Sequence, residues 1–129
     1  MARPGHELRG SLQSEVMRVM WRLEEATVDD VRAALPPSRR PAYTTVQTVM
    51  NRLLERGLLE RRRRSKAFVY KARYPESEVV ARSLRERLAG ASADARAPAL
   101  LSLVEGLDGD DLDELARYAN RVRRERRQG

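Results

Sequence analysis

The sequence predicts a mainly α-helical chain in which three helices and a β-hairpin, the order of a winged helix-turn-helix, precede a C-terminal helical dimerisation region. Three observations predict this fold class. Apolar residues recur at helical spacing in three segments between residues 11 and 56. Two short arms, the second rich in β-forming residues, then flank Ser65-Lys66, as in a hairpin. After Pro75 the helical spacing returns in short segments whose apolar faces cannot enclose a core of their own.

The first two helices are predicted from their N-terminal signals. Ser11 is a favourable N-cap residue and precedes an apolar stripe at helical spacing, so the first helix begins there. Thr27 begins the second helix, and Asp30, three residues later, is its capping-box partner. Pro36-Pro37 ends this second helix after about two turns. The second helix is therefore short, and we expect it to pack against the third helix and support it.

A third helix over residues 42–56 and a hairpin complete the predicted winged helix. The apolar residues of this helix lie on one side, and Gly57 follows at the position of a C-cap glycine. The two hairpin arms are residues 58–64 and 67–73, and the second arm is rich in β-forming residues. Phe68 and Tyr70, in the second arm, are expected to pack the hairpin onto the helices rather than to stack on bases.

The second half of the chain predicts amphipathic helices over residues 76–89 and 99–105 and a last helix capped by Asp108. The small residues of 90–97 predict a flexible connection between them. Helices with uncovered apolar faces most simply pair with a second copy of the same chain. The residues expected in this dimer interface are Val80, Leu84, Leu88, Leu100, Leu101, Val104, Leu112, Leu115, Tyr118, Ala119 and Val122.

The positive charge of the chain is concentrated in one part of it. The 129 residues carry 26 Lys and Arg against 19 Asp and Glu, a net charge of +7. Residues 39–73 alone carry 11 basic groups against Glu55 and Glu60, whereas residues 76–129 carry 10 against 11. This asymmetry indicates a module that binds a polyanion, with a uniformly solvated basic surface as the alternative.

Composition excludes several other classes of site. The chain has no cysteine, and its one histidine is His6, so disulfides, thiolate metal sites and histidine-based catalysis are not expected. The acidic run from Asp108 to Glu114 can hold the metal of a nuclease, but capping and compensation of a helix dipole explain it better. No apolar run reaches the roughly 18 residues of a membrane span, and no leader opens the chain. We therefore expect a cytoplasmic, non-enzymatic protein without cofactor or metal.

The outward face of the third helix carries side chains suited to reading base edges. Thr44, Thr48 and Asn51 point away from the apolar side on a helical wheel. Short hydroxyls and amides can approach base edges and exchange hydrogen bonds with them in the major groove. The alternative is that Thr44 and Gln47 form a capping box at the helix start. The expected recognition-helix residues are Thr44, Thr45, Gln47, Thr48, Asn51 and Arg52.

Basic residues along the hairpin and before the third helix are candidates for phosphate contacts. In an alternating strand, Arg61 and Arg63 share one face and Arg62 and Arg64 the other, so all four cannot lie on one strip of the surface, and two or three of them are expected to contact phosphates. The alternative is an edge strand protected from aggregation by its charge. The expected contacts to the DNA backbone are Arg39, Arg40, Tyr43, Arg61, Arg62, Arg63, Arg64, Lys66 and Lys71.

These assignments predict three regions. Residues 1–10, with Pro4 and two glycines and no periodicity, are a flexible N-terminal arm. Residues 11–75 form a winged-helix DNA-binding domain, and residues 76–129 form a helical dimerisation domain. The expected function is that of a sequence-specific transcriptional repressor, a homodimer on a palindromic double-stranded DNA operator. A winged-helix module for protein or RNA, or a transcriptional activator, is the alternative.

Over residues 10–125 the chain resembles the penicillinase-repressor family (the BlaI/MecI group). The motifs that carry the resemblance are Leu12-x-x-x-Val16-x-x-Val19-Met20-Trp21, Ala42-Tyr43-Thr44-Thr45-Val46-x-Thr48-Val49-x-x-Arg52-Leu53-x-x-x-Gly57-Leu58 and Phe68-x-Tyr70. The resemblance implies a dimeric winged-helix repressor of dyad-symmetric operators, often with TACA/TGTA half-sites. Carried over by position, it implies that Thr44, Thr45, Gln47, Thr48 and Asn51 read DNA and that the stripe from Leu84 to Val122 forms the dimer surface.

The chain departs from relatives whose inducing signals are known. In antibiotic-responsive members a membrane sensor-protease pathway leads to cleavage between the two domains, and no residue here identifies such a site. An upstream protease or sensor is thus undefined. Copper-responsive relatives use a C-terminal cysteine cluster, and this chain has no cysteine.

Overall fold

The structure, a computed structural model, describes residues 11–129 apart from the side chain of Arg39, and the arm expected over residues 1–10 lies outside the described residues. The helices are α1 (Leu12–Leu23), α2 (Val28–Ala34), α3 (Tyr43–Glu55), α4 (Glu76–Ala89), α5 (Ala93–Glu105) and α6 (Gly109–Gln128). The strands are β1 (Glu25–Ala26), β2 (Leu59–Arg64) and β3 (Ala67–Ala72), and a 3₁₀ turn covers Pro37–Arg39. This order confirms the predicted winged helix-turn-helix followed by further helices.

Side-chain caps fix the starts of the first two helices, as predicted. The Ser14 backbone N–H donates to Ser11 Oγ, 3.4 Å away, at the start of α1. At α2 the Asp30 N–H donates to Thr27 Oγ1 at 3.1 Å, and the Thr27 N–H donates to Asp30 Oδ2 at 3.0 Å. The capping box is therefore complete, and it satisfies two backbone donors at once.

The third helix begins without a side-chain cap. Ala42 is its N-cap residue, and no side chain accepts a hydrogen bond from its first turn. The interpretation of Thr44 and Gln47 as a capping box is therefore wrong, because Thr44 already lies inside the helix. At the other end Gly57 has φ +79°, the left-handed conformation that favours glycine after a helix.

The sheet has one strand more than the hairpin that the sequence predicts. β2 and β3 pair antiparallel around Ser65-Lys66 as expected, with Ser65 at φ +58°. The two-residue strand β1 adds to β3 through Glu25↔Lys71 and Ala26↔Tyr70, which gives the order β1-β3-β2. A strand of two residues is too short to produce an alternating pattern, so periodicity did not reveal it.

One apolar core holds the winged helix together. It is formed by the inward faces of α1, α2 and α3 together with the sheet. Tyr70 is 2% exposed and Phe68 packs against the same core, which confirms their predicted structural role. Val79 of α4 also packs against it, and the indole Nε1 of Trp21 donates to the Tyr74 carbonyl at 3.0 Å. The start of α4 thus belongs physically with the winged helix.

The chain divides into two compact units between Arg85 and Glu86, inside α4. In the second unit α5 begins at Ala93 and not at residue 99, so the expectation of a flexible segment over residues 90–97 is wrong. Ser92 caps α5 by accepting from the Ala95 N–H at 3.3 Å, and the alanines that follow favour a helix. Pro98 therefore lies inside the helix rather than before it.

The last helix begins where the sequence predicts, but its apolar residues remain uncovered. Asp108 Oδ1 accepts from the Asp111 N–H at 2.8 Å, which confirms the predicted cap. No residue of α4, α5 or α6 is buried. The exposed large apolar residues include Val80, Leu84, Leu100, Leu101, Leu103, Val104, Leu107, Leu112, Leu115 and Tyr118.

The capping box generates a prediction for stability. Thr27→Ala removes the acceptor for the Asp30 N–H and should lower the free energy of unfolding by about 1 kcal/mol. Urea denaturation at a fixed protein concentration measures this change. Thr27→Ser is the control, because it keeps the hydroxyl and should stay close to the parent protein. Equal stability of the parent and the alanine variant would contradict the role of the cap.

Candidate nucleic-acid interface

The buried stripe of α3 determines which of its side chains face outward. Val46, Met50 and Leu53 are fully buried against the core. The opposite side of the helix consequently faces away from the protein, and Asn51 is half-buried at its edge. The exposed polar residues on this side are Thr44, Thr45, Gln47, Thr48 and Arg52. They form a continuous surface of hydroxyl, amide and guanidinium groups, which we call the polar face of α3.

An open cleft lies between the start of α3, the start of α2 and the tip of the hairpin. Its volume is about 270 Å³. Tyr43 and Gln47 line it from α3, Asp29 from α2, and Lys66 and Phe68 from the hairpin. Two predicted groups, the recognition helix and the hairpin tip, thus border one concave surface. The ammonium of Lys66 forms no ion pair within residues 11–129.

The four consecutive arginines of β2 divide between the two faces of the sheet, as strand alternation predicts. Arg61 and Arg63 lie opposite Tyr70 and Phe68 in the β2–β3 register. The guanidinium of Arg61 lies 4.0 Å from the Phe68 ring centroid, and that of Arg63 lies 5.2 Å from it. These two arginines are therefore held by aromatic rings on the face that carries Tyr70.

Arg61 also connects the hairpin to α3. Its Nη1 donates to Asn51 Oδ1 and to Tyr70 Oη, both at 3.2 Å. Tyr70 Oη in turn donates to Asn51 Oδ1 at 3.5 Å. The Asn51 oxygen is thus occupied by the protein's own donors, and the Nδ2 donors have no hydrogen-bond partner among the described residues. Sequence reasoning placed Asn51 and Arg61 separately and did not foresee this contact.

Arg62 and Arg64 on the other face of the sheet meet an acidic residue. Arg62 Nη2 lies 3.2 Å from Glu25 Oε1, and Arg64 Nη2 lies 3.7 Å from the same atom. All three side chains are substantially exposed, so these pairs contribute little to stability. They nevertheless neutralise part of the charge that the hairpin would offer to a phosphate.

Two further arginines of the basic segment bind the protein itself. Arg40 Nη2 donates to the carbonyls of Ala33 and Leu35 at 2.9 and 3.1 Å, where it satisfies acceptors at the end of α2. The guanidinium of Arg56 donates to Gln13 Oε1 of α1, and burial lowers the pKa of Arg56 from its usual value. Neither contact was visible in the sequence, because each depends on how separate elements pack.

The described residues contain neither a metal centre nor a membrane span. Across residues 11–129 no three His, Cys, Asp or Glu side chains lie close enough together to bind a metal ion. No helix in that part of the chain combines the length and apolar character needed to cross a membrane.

Comparison with known proteins places the chain in a family. The model of the penicillinase repressor family matches residues 9–121. The transcriptional regulator BlaI of Mycobacterium tuberculosis is 37% identical over 110 residues, which cover 84% of this chain and 80% of BlaI. The penicillinase repressor of Bacillus licheniformis is 27% identical over 106 residues, 78% of this chain and 80% of that protein.

Solved structures include a similar domain as well. One is the solution structure of the DNA-binding domain of the repressor BlaI, which is 29% identical in sequence to this chain. The aligned part covers 51% of this chain and 80% of that domain, with a TM-score of 0.46. The relatives are regulators and repressors rather than enzymes, in agreement with the expectation from composition. On the family match and the 37% identity to BlaI, the chain belongs to the penicillinase repressor family.

Proposed function

We propose that this chain is a DNA-binding transcriptional repressor that acts in the cytoplasm as a homodimer on a palindromic operator. The observation that carries the proposal is the polar face of α3, exposed in a member of a repressor family. Hydroxyl and amide groups on an exposed helix can exchange hydrogen bonds with base edges in the major groove. The net charge of +7 attracts the DNA backbone without selecting a sequence.

In this proposal the first turns of α3 read bases. The N-terminal residues of a recognition helix approach base edges most closely. Thr44, Thr45, Gln47 and Thr48 lie there and are exposed, so they are the proposed sequence-reading residues. Asn51 lies one turn further along, at the contact with the hairpin, and offers its Nδ2 donors to an acceptor on a base or phosphate.

Phosphate contacts would come from residues beside the polar face. Tyr43 and Lys66 border the cleft at the start of α3, and Lys66 forms no ion pair within residues 11–129, although Asp29 lines the same cleft. Arg63 lies on the same sheet face as Arg61. Arg61 acts in this proposal by positioning Asn51, whereas Arg62 must exchange Glu25 for a phosphate before it contributes. Arg39, Arg40, Arg64 and Lys71 remain predicted backbone contacts.

The homodimer is proposed from the second half of the chain. Its helices carry many apolar residues, and none of them is buried in one copy. Burial against a second copy would remove this surface from water and is favourable by about 25 cal/mol per Å² of apolar area. Two-fold symmetry would place two α3 helices in successive major grooves, roughly 34 Å apart, so each operator should be a palindrome.

Selection of bound duplexes from a random pool tests the proposal directly. The purified chain should enrich one palindromic motif with half-site centres roughly 10 base pairs apart. Sedimentation equilibrium of the same sample should give twice the monomer mass. Enrichment of no motif, or of a motif without dyad symmetry, would contradict the proposed mode of binding.

The polar face of α3 and the hairpin tip should contribute differently to binding. Thr48→Ala removes a base contact and should weaken operator binding about tenfold, with binding to a scrambled duplex unchanged. Lys66→Ala, the comparison variant, should weaken both duplexes alike and reduce the salt slope of log K by about 0.9 per subunit. Fluorescence anisotropy over a salt series measures both effects. An equal loss on both duplexes for Thr48→Ala would contradict base reading at that position.

The contact between Asn51 and Arg61 predicts that the two residues act together on DNA. Asn51→Ala and Arg61→Ala should each weaken operator binding, and their effects should be non-additive by about 0.5–1.5 kcal/mol in a double-mutant cycle. The control pair is Thr44→Ala with Arg64→Ala, between which the described chain has no hydrogen bond. The control effects should add. Additivity of the Asn51 and Arg61 effects as well would exclude the positioning role of Arg61.

A further inference from the structure

We propose that α6 pairs with the α6 of a second copy in antiparallel direction, so that the acidic start of each helix lies against the arginine-rich end of the other. The inference rests on the homodimer of the proposed function. It adds the direction of the helices and the residues that meet. Three properties of α6 support it: the separation of its charges, the symmetry of its apolar stripe and an open groove at its start.

Acidic and basic residues are separated along α6. Residues 108–114 contain five acidic residues and no basic one, whereas residues 117–127 contain six arginines and Glu125. These groups form no ion pair with one another within the described chain. The helix dipole favours such a distribution only in the first and last turns, and Glu114 and Arg117 lie beyond those turns. The arginine-rich end also extends past residue 121, where the family match ends.

The central residues of the apolar stripe of α6 are arranged symmetrically about its middle, whereas Leu112, at the edge of the stripe, has Glu125 as its counterpart. At about 100° per residue, Leu115 and Val122 lie near the centre of the stripe, and Tyr118 and Ala119 lie between them. Asp111 and Arg126 fall on the same stripe, one at each end of it.

A two-fold axis between Tyr118 and Ala119 brings each of these residues beside its counterpart. Leu115 of one copy meets Val122 of the other, and Asp111 meets Arg126 of the other copy. A parallel pair would instead set Asp111 against Asp111 and Arg126 against Arg126, which places like charges together at both ends. The distribution of charge on the stripe therefore favours the antiparallel direction.

An open groove at the start of α6 has the chemistry that this partner requires. It has a volume of about 410 Å³ and is lined by Leu107, Asp111, Glu114, Leu115 and Tyr118. Leu115 is 42% exposed and Tyr118 is 54% exposed, so a partner side chain can reach them. An apolar floor with two carboxylates suits an aliphatic residue followed one turn later by an arginine. Val122 and Arg126 of a second copy have that spacing.

Charge reversal in one chain tests the pairing. Asp111→Arg and Arg126→Glu each replace an attraction by a repulsion at two symmetric contacts, so each should raise the dimer Kd about a hundredfold. The chain that carries both substitutions should recover a dimer Kd within about tenfold of the parent. Asp113→Arg and Arg124→Glu are matched controls on the side of α6 away from the stripe, and they should leave the dimer Kd near that of the parent. Sedimentation equilibrium measures the parent and the five variants, and circular dichroism confirms that each is folded.

Cross-linking tests the direction independently, since the chain has no cysteine of its own. Ala119→Cys lies beside the proposed axis and should give a covalent dimer on mild oxidation. Leu112→Cys should not, because antiparallel pairing holds the two copies of that residue about 20 Å apart along the helices. Cross-linking of both variants indicates parallel helices and overturns the inference.

The outcomes separate this inference from the proposed function. A parent dimer that neither Asp111→Arg nor Arg126→Glu weakens overturns the antiparallel pairing and leaves the homodimer intact. A parent chain that is monomeric at every concentration overturns both. Loss of dimer in each single variant together with recovery in the combined variant supports the pairing, since misfolding of the single variants would not be reversed by adding a second substitution.

Discussion

The burial of one side of α3 is the constraint on which the candidate site depends. Val46, Met50 and Leu53 have no exposed surface, so the helix cannot rotate about its axis without placing apolar side chains in water. Rotation by even one residue position would carry a polar side chain into a close-packed core, where it would lack a partner. The outward position of Thr44 and Thr48 is therefore a consequence of packing on the opposite side of the helix.

The same core fixes the hairpin relative to α3. Tyr70 is buried at 2% exposure, and its hydroxyl and the Arg61 guanidinium both reach the Asn51 side chain. Residues 51, 61 and 70 come from three different elements and share hydrogen bonds within a few ångströms. Because such a network ties the strands to the helix, the polar face of α3 and the hairpin form one surface whose parts keep a defined spacing.

Rules that relate residues close in sequence were enough to predict most elements of the fold. They did not predict the contacts between residues that are distant in sequence. The Thr27–Asp30 capping box and the turn at Ser65-Lys66 each involve residues close in sequence, and both were predicted correctly. The start of α5 was misplaced because the small residues of 90–97 were interpreted as a flexible connection, whereas Ser92 caps a helix that begins among them. β1 escaped prediction because its pairing partner lies more than forty residues away. The Glu25–Arg62 pair and the Arg56–Gln13 hydrogen bond were unpredictable for the same reason.

These long-range contacts reduce the number of basic residues in the segment 39–73 that are available to a phosphate. Residues 39–73 carry a net charge of +9, yet Arg40, Arg56, Arg61 and Arg62 already bind groups of the protein. The charges of Arg40, Arg56 and Arg61 still act at a distance, because hydrogen bonding to a carbonyl or an amide does not remove them. Glu25, by contrast, neutralises part of the charge of Arg62. Close contact with a phosphate requires a guanidinium or ammonium group that can leave its present partner at small cost in free energy. The net charge of residues 39–73 therefore overstates the number of phosphate contacts that this segment can make. Phosphate contacts carry no sequence information directly, so in the proposed function the sequence preference comes from the hydroxyls and amides of α3.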